Sequence, residues 1–310
     1  MANDYFQAEA EAYIAFDVGG THIKHGLLTG EGSFITKGSY PTACDTLEQF
    51  VGGMEKVIGE YSAEHKAAGI AISMPGFIDV NTGYSERAGS IRVLDQKNLK
   101  EILEERTGLP VEMENDGNCA ALAEKLNGNA VDCRNFICVT LGTGVGGGIF
   151  INGEIVHGAS FRGAEFGFMY TPAYHPDRPH MHGNASTGGL IKMYKELKGL
   201  AVDEKVDGET VFEDAEHDSA VKSLVEEWMK NISYGLYNLA VTLNPEKILI
   251  GGGISGREGL IEDIIQHARQ YPYWDSFAVS VEPCRHKNDA GMLGALYHFI
   301  NRARKVEQPQ

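Results

Sequence analysis

Three glycine-rich turns and one Asn-Asp pair carry the residue types that phosphoryl chemistry needs. Asp17-Val18-Gly19-Gly20-Thr21 follows the apolar run Tyr13–Phe16. Glycines let the backbone turn at positive φ and approach a ligand closely. Backbone N–H groups and the Thr21 hydroxyl could then bond phosphate oxygens, with Asp17 holding Mg²⁺ or its water beside them. A Gly-Gly hairpin turn that binds nothing fits the same residues. Leu141-Gly142-Thr143-Gly144-Val145-Gly146-Gly147-Gly148 contains a formal GxGxxG, Gly142 to Gly147. That fingerprint must open a helix to bind a dinucleotide, whereas this one runs into Ile149-Phe150-Ile151, which reads as a strand. A second phosphate-holding hairpin built on Gly142, Thr143 and Gly144 fits better, with a purely structural turn as the alternative. Gly251-Gly252-Gly253-Ile254-Ser255 closes a strand, and its small residues would let an adenine–ribose face lie against the backbone. Tight strand–helix packing would call for the same glycines.

Glu114-Asn115-Asp116-Gly117-Asn118 lies where a strand hands over to a helix. Asp116 could accept a hydroxyl proton while Asn115 orients the same substrate; helix capping is the competing role. Glu165, among small and aromatic residues, could bind sugar hydroxyls or lie on the surface. His175, His180 and His182 fit no zinc spacing. Cys119 stands in an Ala-rich helical stretch with no His beside it, and reads as core filler rather than nucleophile.

These residues need a scaffold of alternating strands and helices. Strand–turn–strand units run from Tyr13 to Leu28 and from Phe136 to Asn152, one in each half, which suggests duplicated α/β lobes facing a cleft. Helical periodicity covers Leu47–Tyr61, Leu99–Arg106, Asn115–Leu126, about Ser219–Leu243 and about Ala290–Arg304; Gly69–Met74, Val111–Met113 and Lys247–Ile250 read as strands. Thr171–Ser186, with three Pro and three His, reads as a long loop. The expected lobes are 1–115 and 116–289, with the last helix, about 290–305, packing back on the first.

Composition sets outer limits. The chain has 310 residues, 27 Lys+Arg and 43 Asp+Glu, a formal net charge of −16. That excess of carboxylates argues against non-specific nucleic-acid binding. It does not exclude phosphate held by local N–H groups. Five scattered cysteines without a CxxC, no basic-then-apolar leader and no long apolar run point to a reducing cytoplasm and no membrane span.

The order of motifs is more specific than any one of them. Phosphate hairpin, Pro75-Gly76 turn, Asn115-Asp116, second hairpin, Glu165 segment and Gly251–Gly253 together resemble the ROK family of sugar kinases, from Ile14 to about Phe299. The resemblance implies a two-lobed actin/hexokinase-like fold with a central cleft, ATP and Mg²⁺ as cofactors, a small sugar as partner and a homodimer. It implies phosphate contacts at Asp17, Gly19, Gly20, Thr21, Gly142, Thr143 and Gly144, adenosine contacts at Gly251, Gly252 and Gly253, and the catalytic base at Asp116. Sugar contacts are implied at Asn115, Gly76 and Glu165.

Two departures stand out. The family's Gly-Glu-x-Gly-His segment has Phe168 in the His position, and its CxCGxxGC zinc motif has no counterpart, so no zinc site is expected. The sugar-binding Glu that follows that motif falls nearest to His182. Zinc-lacking bacterial members are closest in pattern: Ser160–Met169 and His286–Phe299 resemble β-glucoside kinases, and zinc-free N-acetylmannosamine kinases share much of the same pattern. A glucokinase of the same family is a further alternative, and a catalytically inactive sugar-binding protein or a sugar-sensing repressor is the non-enzyme one. A Phe wall beside the anomeric end of the sugar gives a free hydroxyl little. It would suit a substituent on that oxygen, so a glucoside or disaccharide acceptor is expected.

Overall fold

The computed structural model describes residues 11–172 and 177–307. Their contacts divide them into two compact units, one ending at Asn127 and resumed at Asn288, the other Gly128–Lys287. The first begins with β1 (Ala12–Val18), β2 (His22–Thr29), β3 (Phe34–Pro41), α1 (Leu47–Glu64) and β4 (Ala67–Met74). A small sheet of β5 (Phe77–Asp79), β6 (Tyr84–Arg87) and β7 (Lys97–Asn98) follows, then α2 (Leu99–Thr107), β8 (Val111–Asn115) and α3 (Asp116–Asn127). The second unit holds β9 (Phe136–Leu141), β10 (Val145–Ile151), β11 (Glu154–Ile155), α4 (Met181–Asn184), α5 (Thr187–Lys198), α6 (Gly208–Ala215) and α7 (Ser219–Leu243). It ends with β12 (Lys247–Gly251), α8 (Leu260–Ala268), α9 (Trp274–Phe277) and β13 (Ser280–Pro283), after which α10 (Ala290–Glu307) belongs again to the first unit.

The two main sheets share one plan. Their orders are β3-β2-β1-β4-β8 and β11-β10-β9-β12-β13. In each, an antiparallel hairpin is extended by two strands that run parallel to its first member. The paired hairpins expected from sequence are therefore the hearts of two equivalent sheets. Central strands of both are buried on both faces, as the runs Ile14-Ala15-Phe16 and Ile248-Leu249-Ile250 require.

The lobe limit differs from its expected place at 115/116. Helix α3 packs with α10, and Ala-rich and Gly-rich faces make that seam close. A Cβ on Gly294 would lie 1.9 Å from the Cys119 carbonyl oxygen. Gly294→Ala should therefore lower stability by about 1–3 kcal/mol, because overpacking against backbone outweighs the better helix propensity of Ala. Gly59 on α1 has nothing within 4 Å of its would-be Cβ, so Gly59→Ala should raise stability by about 0.5–1 kcal/mol. Urea-unfolding midpoints moving in opposite directions would bear this out; a shared direction would refute it.

Thr171–Ser186 is not wholly loop. Tyr170 forms an antiparallel bridge with His180, Met181–Asn184 is a short helix, and Ser186 caps α5 by accepting from the Gly189 N–H at 2.8 Å. Long α7 underlies this segment: buried Trp228 donates its indole N–H to the Ser186 carbonyl at 2.9 Å.

Candidate active site

In the first unit the parallel register puts the chemistry on one sheet edge. Asp17 pairs with Ser73, Ser73 with Glu114, and Met74 with Asn115. These are the carboxyl ends of β1, β4 and β8, where open α/β sheets bind ligands. Asp17 accepts a hydrogen bond from the Ser73 hydroxyl at 3.0 Å and pairs with Lys24 at 3.3 Å. The first turn of α10 presses on it, since a Cβ on Gly291 would lie 2.2 Å from Asp17 Oδ1. The Asp17 charge thus lies between the positive end of that helix and the Lys24 ammonium.

The hairpin turn is pinned from β3: the Thr42 hydroxyl donates to the Gly19 carbonyl at 2.7 Å and the Thr42 N–H to the Thr21 carbonyl at 2.9 Å. Gly19 and Gly20 do not adopt the positive φ expected of them. They are glycines for want of space: a Cβ would lie 2.9 Å from the His22 carbonyl oxygen and 2.4 Å from Ser90 Oγ, respectively. The Gly19 N–H is spent on His22 at 3.1 Å. The Gly20 and Thr21 amides donate to nothing among the described residues, and both residues are exposed.

Asn115 does both things its sequence position allows. Its Oδ1 accepts from the Gly117 and Asn118 amides at 2.8 and 3.1 Å, which caps α3. Its Nδ2 donates to the Gly76 carbonyl at 3.0 Å, with one N–H left over. Gly76 (φ 105°) must be glycine, as a Cβ would lie 1.9 Å from the Arg87 carbonyl oxygen. Beneath them buried Glu114 accepts from the Asn115 backbone N–H at 2.8 Å and from the Asn118 side-chain Nδ2 at 3.0 Å, and faces His298 Nδ1 at 3.3 Å.

Asp116 is exposed at the start of α3, where its Oδ1 accepts from the Gly117 N–H at 2.8 Å. Surrounding protein mass desolvates its carboxyl and pushes its pKa above the usual Asp value; the Gly117 N–H pulls down and the Asp17 charge pushes up. A raised, accessible carboxylate suits general-base work. Cys119 is buried, and desolvation followed by the Glu114 charge drives its thiol well above the ordinary range, which leaves it inert core filler.

The second unit supplies its own cluster. The turn Gly142–Gly144 closes on itself, the Gly142 N–H donating to the Gly144 carbonyl at 2.9 Å. Available donors are thus Thr143 and Gly144, not Gly142 as expected. The start of α5 packs here: the Gly188 N–H donates to the Gly142 carbonyl at 3.1 Å and the Thr187 hydroxyl to Leu141 at 3.0 Å. Gly252 (φ 93°) lies against the Leu141 carbonyl, 2.3 Å from its would-be Cβ. A pocket of about 470 Å³ is lined by Ser255, Arg257, Glu258, Cys284 and Lys287 among others; Gly251, Gly252 and Gly253, expected to touch adenosine, are not in its lining.

His182 bridges the turn and the Glu165 segment. Its Nδ1 accepts from the Val145 N–H at 3.1 Å, and its ring edge meets Phe168 at 4.8 Å. Burial, then neighbouring His180, lowers its pKa, and acceptance at Nδ1 leaves Nε2 as the donor of the ring. Glu165 is half-buried and heads the 3-10 turn Phe166–Phe168. The structure thus gathers Asp17, Gly19, Gly20, Thr21, Gly76, Asn115 and Asp116 in one unit. It gathers Gly142, Thr143, Gly144, Glu165, Phe168, His182 and Gly251–Gly253 in the other. His175 lies outside the described residues. Among those described, no three His, Cys, Asp or Glu side chains converge as a metal site, and no helix is long and apolar enough to cross a membrane.

Sequence reasoning missed Lys24, Ser73, Arg257 and Lys287. Lys24 was within reach: a hairpin centred on Gly19–Thr21 sets it opposite Asp17, as the register shows. Ser73 needed the β1–β4 register, which periodicity does not give.

Comparison with known proteins shows the family. The model of the ROK family matches residues 13–302. The chain is 39% identical over 297 residues to the β-glucoside kinase of Listeria monocytogenes serovar 1/2a, covering 94% of this chain and 99% of that one. A ROK family protein of Streptococcus pneumoniae TIGR4, solved in complex with sucrose, is similar at TM-score 0.84 and 28% identity, covering 95% of this chain and 99% of the other. A ROK family glucokinase of Streptomyces griseus, in complex with glucose and AMPPNP, is similar at TM-score 0.75 and 27% identity, covering 92% and 98%.

Proposed function

The chain belongs to the ROK family, and from that premise we propose that it transfers the γ-phosphoryl of ATP to the 6-hydroxyl of β-glucosides. The actin/hexokinase-like fold, the kinase activity and a sugar hydroxyl as acceptor follow from membership and from the relatives' likeness. The choice of β-glucoside rests on the 39% relative and on Phe168, an apolar side chain where the family pattern has a hydrogen-bonding His. Sucrose on the pneumococcal relative is a disaccharide, in keeping with an acceptor larger than a free hexose.

The observation that carries the mechanism is Asp116: exposed, its pKa raised and one oxygen anchored. Asp116 Oδ2 accepts the proton of the acceptor hydroxyl as that oxygen attacks the γ-phosphorus and the β–γ bridging oxygen leaves with ADP. Asn115, through its spare N–H, and Glu165 hold sugar hydroxyls, and the Nε2–H of His182 donates to another. Free amides at Gly20, Thr21, Thr143 and Gly144, helped by the positive end of α5, bond phosphate oxygens. The pocket lined by Ser255 and Lys287 takes the adenosine.

A single carboxylate at a strand end, not fully buried, fits a Mg²⁺ that keeps most of its waters and travels with the nucleotide. Asp17 would hold it, and the ion would neutralise phosphate charge. Such transfer is mostly positioning and electrostatics. ADP release measured over glucose, cellobiose, gentiobiose, N-acetylmannosamine and N-acetylglucosamine, with phosphorus NMR of the product, tests this reading. The expected result is the highest kcat/KM for the β-glucosides and a 6-phosphate product. Glucose preferred tenfold over them would overturn it.

A further inference from the structure

An aromatic row leads away from Glu165. Phe168 is joined to Glu165 by the 3-10 turn, its N–H donating to the Glu165 carbonyl at 3.1 Å. His180 meets the Phe168 ring at 6.1 Å and the Tyr170 ring at 6.0 Å, both edge to face. The row is not a loose loop. Met181 N–H donates to the Met169 carbonyl at 2.9 Å, and Tyr170 and His180 are bridged, so two chain segments form a short ribbon that fixes the rings. Yet Phe168 is 54% and Tyr170 72% exposed. Single exposed apolar side chains are ordinary. Two aromatic rings left open side by side, held by a third, and continuous with a sugar-binding carboxylate are not.

We propose that Phe168, His180 and Tyr170 form a ledge on which the aglycone of the β-glucoside lies, with Tyr170 as the specificity residue. This rests on the β-glucoside reading above. The glucose ring meets Glu165 and His182, and whatever is carried on its anomeric oxygen continues along the row, which spans more than one six-membered ring. Apolar C–H faces of a second sugar, or an aromatic aglycone, pack on such rings. Free glucose does not extend that far. Tyr170 contacts only the non-reacting part of the acceptor, so it acts on binding rather than on the chemical step.

Steady-state kinetics of the full-length wild type and of Tyr170→Ala and Tyr170→Phe, with glucose, methyl β-glucoside, cellobiose and phenyl β-glucoside, test the ledge. Tyr170 is largely exposed, so both variants fold. For Tyr170→Ala the expected KM rises about tenfold with cellobiose and phenyl β-glucoside, the order expected for one lost apolar contact. Its kcat, and its KM for glucose and methyl β-glucoside, stay within twofold. Tyr170→Phe keeps the ring and should match the wild type. If Tyr170→Ala changes all four acceptors alike, or none, the ledge is wrong while the β-glucoside kinase reading stands. If the wild type turns over glucose but neither cellobiose nor phenyl β-glucoside, that reading fails and the ledge with it.

Discussion

Asp116→Asn is expected to lower kcat by about 10³-fold, the scale of a lost general base, with sugar and ATP dissociation constants within threefold of wild type. Asn keeps an oxygen for the Gly117 N–H, so the start of α3 retains its geometry. What goes is the carboxylate proposed to take the hydroxyl proton. Stability should move the other way. Desolvation sets the folded-state pKa of Asp116 above its unfolded value. Stability associated with the protonated acid is then present at low pH and lost as pH rises through the raised folded value, so the ionised form opposes folding at pH 7. Asn never ionises. The variant should therefore unfold at a urea concentration no lower than wild type at pH 7, with the difference shrinking below the ordinary Asp range. Quenched-flow turnover within tenfold of wild type would remove Asp116 from the role of base.

Asp17→Asn is expected to lower kcat/KM for ATP by about 10²-fold, a typical effect of removing one preorganised electrostatic contact in such a site. The amide still accepts from Ser73 but no longer attracts Lys24 or a divalent ion. The half-saturating Mg²⁺ concentration should rise, while sugar affinity, read by intrinsic fluorescence without nucleotide, stays put. Loss of the Asp17 charge also removes one of the influences that raise Asp116. The acid limb of the kcat/KM profile should accordingly move to lower pH. A variant with unchanged Mg²⁺ dependence would show that Asp17 serves only to hold the strand ends.

Much of the fold was legible because burial forces periodicity. Helix α7 was readable from its apolar spacing, closed by Asn244 in the left-handed region before Pro245. The hairpins were readable because glycine clusters interrupt apolar runs. Helices α5 and α6 were missed: both are short, and α5 opens with two glycines that hide its pattern. What the glycines do was only half legible. Composition marks a place where the backbone must be bare, but whether a positive φ adds to the lack of space, as at Gly76 and Gly252, or a neighbouring atom alone is the cause, as at Gly19 and Gly20, depends on what packs there.

The sequence by itself determined most of the elements and the order of the motifs, because those depend on spacing along the chain. Tertiary structure decided the rest. Parallel register between β1, β4 and β8 joined Asp17, Ser73 and Asn115 on one sheet edge. Packing of α10 on α3 moved the lobe limit to Asn127. The rings of Phe168, His180 and Tyr170 came together only when residues 169–171 met 179–181. Local pattern records which face of an element is buried; it holds no record of which distant strand or ribbon supplies the other side, and that choice is made by pairing across the whole chain.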